Sequence, residues 1–357
     1  MKKIALIAFQ LILSLLVGFI FGNLIMPLKT LEKIDTLKEL KPIDLTMNEQ
    51  NPYDFDMEEL SLETLSPYTG KILESDSIDN IPFMCIIENS RAARPQSGLS
   101  EADIVYETMA EAGIPRFLAV FYENSPEVIG PVRSVRPYFL DISKEHDLPF
   151  AHCGGSAEAL ATISSDKSLN SINEIKNGSA FWRDNTRKAP HNLYTSAKNI
   201  RKFISDNGYE YSKNNTLSFK DNSLLNSSNY ISEIKLNLSD YYKTSYKYVD
   251  GFYEKYMDGE LAIDKNTNSP LKFKNIVVQI TDMSLQSDNT HLDIDLTGTG
   301  EGYVFSNGRM EKIHWEKEDS NSKTTLKNED GTPIYLSRGN TIWNIVDKNS
   351  SLSLALF

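Results

Sequence analysis

The chain has 357 residues, 40% hydrophobic and 24% charged, with a formal net charge of −12. So acidic a balance argues against a nucleic-acid partner and against attachment to an anionic membrane through the whole surface. Two cysteines exclude a dense disulfide framework, so the fold has to stand on its packing. Cys85 and Cys153 either pair in an oxidising compartment or remain buried thiols.

In chain order, Lys2 and Lys3 precede an apolar run from Ile4 to Leu28 that only Gln10, Ser14 and Asn23 interrupt. The run exceeds the roughly 20 residues that cross a bilayer. No small-x-small cleavage site follows it, and no Cys ends it to accept a lipid. Residues 1–28 are therefore expected to form an uncleaved transmembrane anchor, the alternative being a removed signal peptide. Two lysines before the run place the N-terminus in the cytoplasm and the rest of the chain outside. Residues 29–80 are polar, acidic and broken by Pro42, Pro52 and Pro67, which reads as a stalk or linker.

The pattern changes at residue 81. Ile81–Ile87 reads as a buried strand running into a polar loop, and Asp103–Met109 with Arg116–Tyr122 reads as a hairpin. Val135–His146 has helical spacing, Leu148–His152 is a strand, and Gly154-Gly155 opens a helix over Ser156–Ser164. A further helix spans Ser196–Asn207 and stops at Gly208. This order predicts an α+β or α/β domain over 81–210. Residues 211–245, rich in Asn, Ser and Lys, read as a connection. Beyond it, strands at 246–256, 276–281, 292–296, 302–305, 312–316 and 342–346 alternate with turn signals such as Asp250-Gly251 and Asn307-Gly308. They predict a mainly β domain over 246–357.

The chemistry concentrates in the first of these domains. Of ten arginines, seven (Arg91, Arg94, Arg116, Arg133, Arg136, Arg183 and Arg187) fall between residues 91 and 187. Two Arg-x-x-Arg pairs, Arg91/Arg94 and Arg133/Arg136, sit in Gly-, Pro- and Ser-rich loops that cannot build core. A guanidinium grips carboxylate or phosphate with two bonds. The four arginines therefore either line one anionic pocket or pair with Glu88, Glu101, Asp103, Glu107 and Glu111. His152-Cys153-Gly154-Gly155-Ser156 is a strand–turn–helix entry whose backbone amides favour an anion, although Ser156 would also be an ordinary helix cap. Cys153 cannot be served by its neighbour His152, since adjacent strand residues point to opposite faces. Arg183, Asp184, Arg187 and His191 form a third group on a loop. Histidine spacing supports no zinc site. A magnesium ion bridging a carboxylate to bound phosphate is the one metal to consider, with Asp103 and Asp184 as its ligands.

The stretches Glu88-Asn89, Ala93 to Leu99, Ala102 to Glu107, Arg116 to Phe121, Ile129 to Ser134 and Ala189 to Tyr194 together resemble the signature of the YerB family. Lys274 to Val278, Gly298-Thr299-Gly300 and Asn307-Gly308 resemble that family's second domain, so the resemblance covers roughly residues 80 to 350. It implies an extracytoplasmic bacterial protein, often a lipoprotein in that family, and carries no catalytic assignment. The absence of a lipid-accepting Cys departs from the family and implies a helical tether on the same side of the membrane. A looser analogy, to the LytR-CpsA-Psr enzymes, rests on the order of an Arg-rich loop, Ser-x-x-Asp, two strands and an Arg-containing turn. It suggests which anion to consider first without licensing a function.

Two functions follow as expectations. One is a membrane-anchored envelope protein that binds an anionic ligand, either a phosphate or pyrophosphate group or an anionic wall polymer, or else a partner protein. The other is an envelope transferase or phosphohydrolase acting with magnesium on a lipid-pyrophosphate-linked glycan.

Overall fold

Strands β1 (Phe83–Glu88), β2 (Ile104–Met109) and β3 (Pro115–Phe121) bury every residue they contain. Both faces are covered, so β1 and β3 read as largely apolar runs, while Glu107 and Thr108 of β2 are buried polar groups. The computed structural model describes residues 64–356 apart from 214–216, 222, 225, 226 and 228. The expected anchor over 1–28 lies outside the described residues, as does the stalk up to residue 63. Among the described residues no helix is long and apolar enough to cross a membrane.

The expected hairpin is present: β3 pairs antiparallel with β2 and also with β1. Parallel strands β4 (Phe150–His152) and β5 (Ser171–Asn173) follow beyond β1. Three helices accompany them: α1 (Pro137–His146), α2 (Ala157–Ser165) and α3 (Ala197–Asp206). Pro137 opens α1, and the Ser156 and Ser196 hydroxyls cap α2 and α3 by accepting from the Ala159 and Asn199 amides. The longer strands of the C-terminal part are β6 (Ile231–Asn237), β7 (Lys243–Val249), β8 (Phe252–Met257), β9 (Asn275–Thr281), β10 (Gly298–Ser306), β11 (Arg309–Lys317), β12 (Thr325–Lys327), β13 (Thr341–Asp347) and β14 (Leu352–Leu356). The molecule is thus a helix-bearing N-terminal part followed by a β-rich C-terminal part.

Both parts feed one ten-stranded sheet in the order β12-β11-β10-β9-β13-β2-β3-β1-β4-β5. The stretches expected as separate domains, 81–210 and 246–357, therefore share their main sheet, because β13 hydrogen-bonds in parallel to β2 on one side and β9 on the other. Strands β1, β2, β4, β5, β9 and β13 all run the same way. One face of the sheet (Ile87, Val105, Phe117, Ile342) packs on α3 and on a second sheet that runs β8-β7-β6-β14. The other face (Ile86, Tyr106, Leu118, Trp343) packs on Phe139 and Ile142 of α1. Each fully buried side chain of this kind stabilises the fold by roughly 1.5–3 kcal/mol.

Three boundaries differ from the sequence reading. Residues 64–80 belong to the body rather than to a stalk: Tyr68 is fully buried, its ring 5.6 Å edge-on from Tyr122. The connection 211–245 contains β6 and the start of β7, a core-lining pair whose solvent faces carry the Ser, Asn and Lys that disguised it. The strand expected at 246–256 is two strands, β7 and β8, turning at Asp250-Gly251 with φ of 50° and 83°.

Candidate functional site

The carboxyl ends of β1, β4 and β5, with the entry to β3, form one rim of the large sheet. Parallel strands present their functional groups at such a rim. Glu88 and His152 end β1 and β4, and Arg116 lies opposite Glu88 on β3. The loop 130–137 threads between β1 and β4: the Arg133 amide donates to Ile86 O at 2.9 Å and the Cys153 amide to Arg133 O at 3.0 Å. It also meets the 189–194 segment, where the Val132 amide donates to Leu193 O at 2.7 Å. Gly130 makes that approach feasible, since its φ is +145° and a Cβ there would lie 2.8 Å from Leu193 O.

The seven clustered arginines do not converge on one pocket. Arg91 and Arg94 both reach Asp258 Oδ2, at 3.0 and 2.8 Å, and both cover the Tyr242 ring. Burial alone would raise the Asp258 carboxyl, but the Lys243 amide and the two guanidiniums outweigh it and hold it low. This pair lines a cavity of about 450 Å³ with Pro95, Met257 and Leu261, away from Arg133 and Arg136. Arg116 and Arg136 share Glu111, one on each carboxylate oxygen, and donate further to Ser134 O and Val135 O. Burial pulls the Arg116 pKa down to about 10. Arg183 donates to Asn192 and Glu174. Arg187 clamps the 92–95 segment through the carbonyls of Ala92, Arg94 and Pro95, and also reaches the Tyr194 hydroxyl.

Arg133 is the exception. Its side chain is 32% exposed, and its one ion pair is a loose 3.8 Å approach of Nε to Glu88 Oε2. Among the described residues its guanidinium makes no hydrogen bond.

Glu88 organises what surrounds it. Its carboxylate is nearly buried, with 6% of the side chain exposed. It accepts from the Ser90 hydroxyl at 2.7 Å and lies 2.9 Å, through each oxygen, from His191 Nδ1. A carboxylate only accepts, so Nδ1 carries the hydrogen, and in the neutral ring Nε2 is then an acceptor. Among the described residues Nε2 has no partner. In the sequence Glu88 stands out as a neutralising partner for arginine and as part of the family signature, not as the centre of a site. Its position at the end of a buried strand, followed by a polar loop, was the available signal.

The other expected ligand groups are structural. His152 is fully buried, its ring between Gly154 O and the Ser171 hydroxyl at 2.7 Å each, and burial pushes its pKa down to about 4. The Gly154 amide donates to Asn173 and the Ser156 amide to Val135 O. With the Ser156 hydroxyl taking the Ala159 amide, the Gly154, Ser156 and Ala159 amides are engaged within the protein. Cys85 and Cys153 are both free. Burial raises the Cys153 thiol, which donates to Glu174 at 3.3 Å.

The two expected magnesium ligands lie in surroundings that do not suit a cation. Asp103 is buried and accepts from the Tyr122 and Glu123 amides through Oδ2. It lines a cavity of about 520 Å³ together with Lys71, Lys272, Lys274 and Arg338. Asp184 is tied through Oδ1 to the amide and hydroxyl of Thr186, and Lys265 lies 3.6 Å from Oδ2. Backbone amides and ammonium groups compete with a hard cation for these oxygens.

Comparison with known proteins follows the two parts of the fold. Residues 68–210 match the N-terminal domain, and residues 233–343 the C-terminal domain, of a family described as protein of unknown function (DUF3048). The chain is similar to a Bacillus subtilis protein named "Putative lipoprotein YerB", with 31% identity over 297 residues, 81% of this chain and 88% of that protein. A crystal structure of the YerB protein from Bacillus subtilis superimposes with a TM-score of 0.73 at 32% identity, covering 81% of this chain and 99% of that one.

Proposed function

Because the chain belongs to the YerB-like family of DUF3048 proteins, we propose that it is an envelope protein, tethered at the outer face of a membrane, that binds a phosphate- or pyrophosphate-type anion beside Arg133 and His191. The relative's description as a lipoprotein supports that side of the membrane. The apolar run Ile4–Leu28, with lysines before it and no cysteine at its end, supports a helical anchor in place of a lipid.

One observation carries the anion reading. Six of the seven clustered arginines are engaged by protein acceptors, while Arg133 stands part-exposed with its donors unused. A planar fork that the fold leaves open on a loop between two strand ends matches an oxyanion. Glu88, already holding His191 and Ser90, subtracts from the local positive charge without blocking the guanidinium.

Inorganic pyrophosphate should raise the melting temperature of the protein, with a stabilisation of about 2.7 kcal/mol at a hundredfold excess over the dissociation constant. Arg133→Ala should abolish that rise and leave melting without ligand nearly unchanged, since the residue makes only a loose, part-exposed ion pair. An Arg133→Ala protein that melts far lower yet keeps its response to pyrophosphate would refute the proposal.

A further inference from the structure

We infer that His191 transfers a proton in the cleavage of a phosphodiester held at Arg133, with Glu88 as the residue that positions it. The inference rests on the proposed function and adds a reaction to it.

The geometry is that of a carboxylate–imidazole pair. Glu88 sits at the end of a fully buried strand, fixed by Ser90 at 2.7 Å and by its place opposite Arg116. Its two oxygens lie equally, at 2.9 Å, from His191 Nδ1. In the neutral ring this sets the tautomer with Nε2 as an acceptor, as a general base requires. Arg133 Nε approaches the same carboxylate oxygen, Oε2, at 3.8 Å, so guanidinium and imidazole flank one point. Glu88 is engaged from the protein side, while His191 and Arg133 keep 25% and 32% of their side chains exposed. A ligand can therefore meet both without displacing either from Glu88.

The charge count favours a diester. A phosphodiester carries one negative charge on two non-bridging oxygens, which one guanidinium fork matches.

In the step, a water oxygen attacks phosphorus while His191 Nε2 takes its proton. Arg133 stabilises the charge growing on the non-bridging oxygens. The bond from phosphorus to the leaving oxygen breaks, its electron pair stays on that oxygen, and the proton on Nε2 passes to it. One diester and one water give one monoester and one alcohol. Glu88 keeps Nδ1–H in place and balances the imidazolium in between.

The test uses the full chain in detergent with bis(p-nitrophenyl) phosphate, following p-nitrophenolate release, and in parallel the melting response to inorganic pyrophosphate. The parent protein should release p-nitrophenolate. His191→Gln and His191→Asn, each still able to donate to Glu88, should lose about a hundredfold or more in kcat while melting normally without ligand. Glu88→Gln should lower kcat more than it changes KM and alter the shape of the pH profile of kcat/KM, whereas a purely structural role would scale the profile without reshaping it. A parent protein that responds to pyrophosphate but releases nothing, or histidine variants as active as the parent, would overturn the inference and leave the anion site standing. Loss of both responses would remove the binding reading as well.

Discussion

Arg133 and Arg136 leave one loop three residues apart and meet opposite fates. Arg136 turns inward to Glu111, which it shares with Arg116, and a buried guanidinium needs such a partner. Arg133 stays at the rim with a single loose contact. The sequence showed that arginines cluster, and the nearby carboxylates Glu88 and Glu111 are indeed the partners of Arg133, Arg116 and Arg136. It could not show that Arg91 and Arg94 are neutralised by Asp258, which lies 167 and 164 residues away. Asp103 makes a separate prediction at this scale. Burial first, then the neighbouring Glu123, pushes its carboxyl up to about 7. A carboxyl raised in the folded state favours folding at low pH, and that contribution is lost as pH rises from about 4 through about 7. Asp103→Asn keeps an oxygen to accept from the Tyr122 and Glu123 amides and removes the ionisation. Thermal melts across pH should show the variant gaining on the parent above about pH 7, by roughly 2–4 kcal/mol, with the gap closing in acid. Parallel curves would contradict the assignment.

Between elements, the tie that joins the two parts is polar. Lys255 on β8 is fully buried and donates to Glu107 on β2 at 2.6 Å, to the Tyr246 hydroxyl at 3.1 Å and to the Thr244 hydroxyl. Asn89 donates to the Glu107 carboxylate at 2.9 Å, and its Oδ1 accepts from Arg94 and Gln96. Burial lowers the Lys255 pKa, opposed by Glu107. Removing one partner strands the other without water, so Lys255→Met should cost about 3–5 kcal/mol in urea unfolding. Glu107→Gln in the same protein should restore part of it. A single-variant loss under about 1 kcal/mol would mean the pair is solvated. Which elements the sequence disclosed follows from the same physics. Strands β1, β3 and β13 were readable because most of their residues are apolar, and α2 and α3 because Gly154-Gly155 opens the one and Gly208 stops the other. Strand β6 was not, because its pattern of ISEIKLN alternates between core and solvent within a polar stretch. Strand β14 was missed at the far end, where most of its side chains are exposed at a sheet edge.

For the molecule as a whole, the order of strands matters more than the order of domains. Strand β13 arrives from the end of the chain and sits between β2 and β9, so the helix-bearing part borrows a central neighbour from the β-rich part. No local pattern encodes that pairing, which is why two stretches of different composition read as two bodies. A fragment ending at residue 210 would leave the edge of β2 unpaired and strip Ile342 and Trp343 from the two cores. It should give a poorly dispersed amide NMR spectrum and no cooperative melt, and a well-dispersed spectrum would show that the helix-bearing part folds alone. The shared sheet also fixes the rim where Glu88, Arg133 and His191 meet, and the most direct test looks there. In crystals grown with inorganic phosphate, an anion should lie with its oxygens about 2.7–3.2 Å from the Arg133 guanidinium and from His191 Nε2. Phosphate bound instead in the cavity of Lys71, Lys272, Lys274 and Arg338, with nothing beside Arg133, would contradict it.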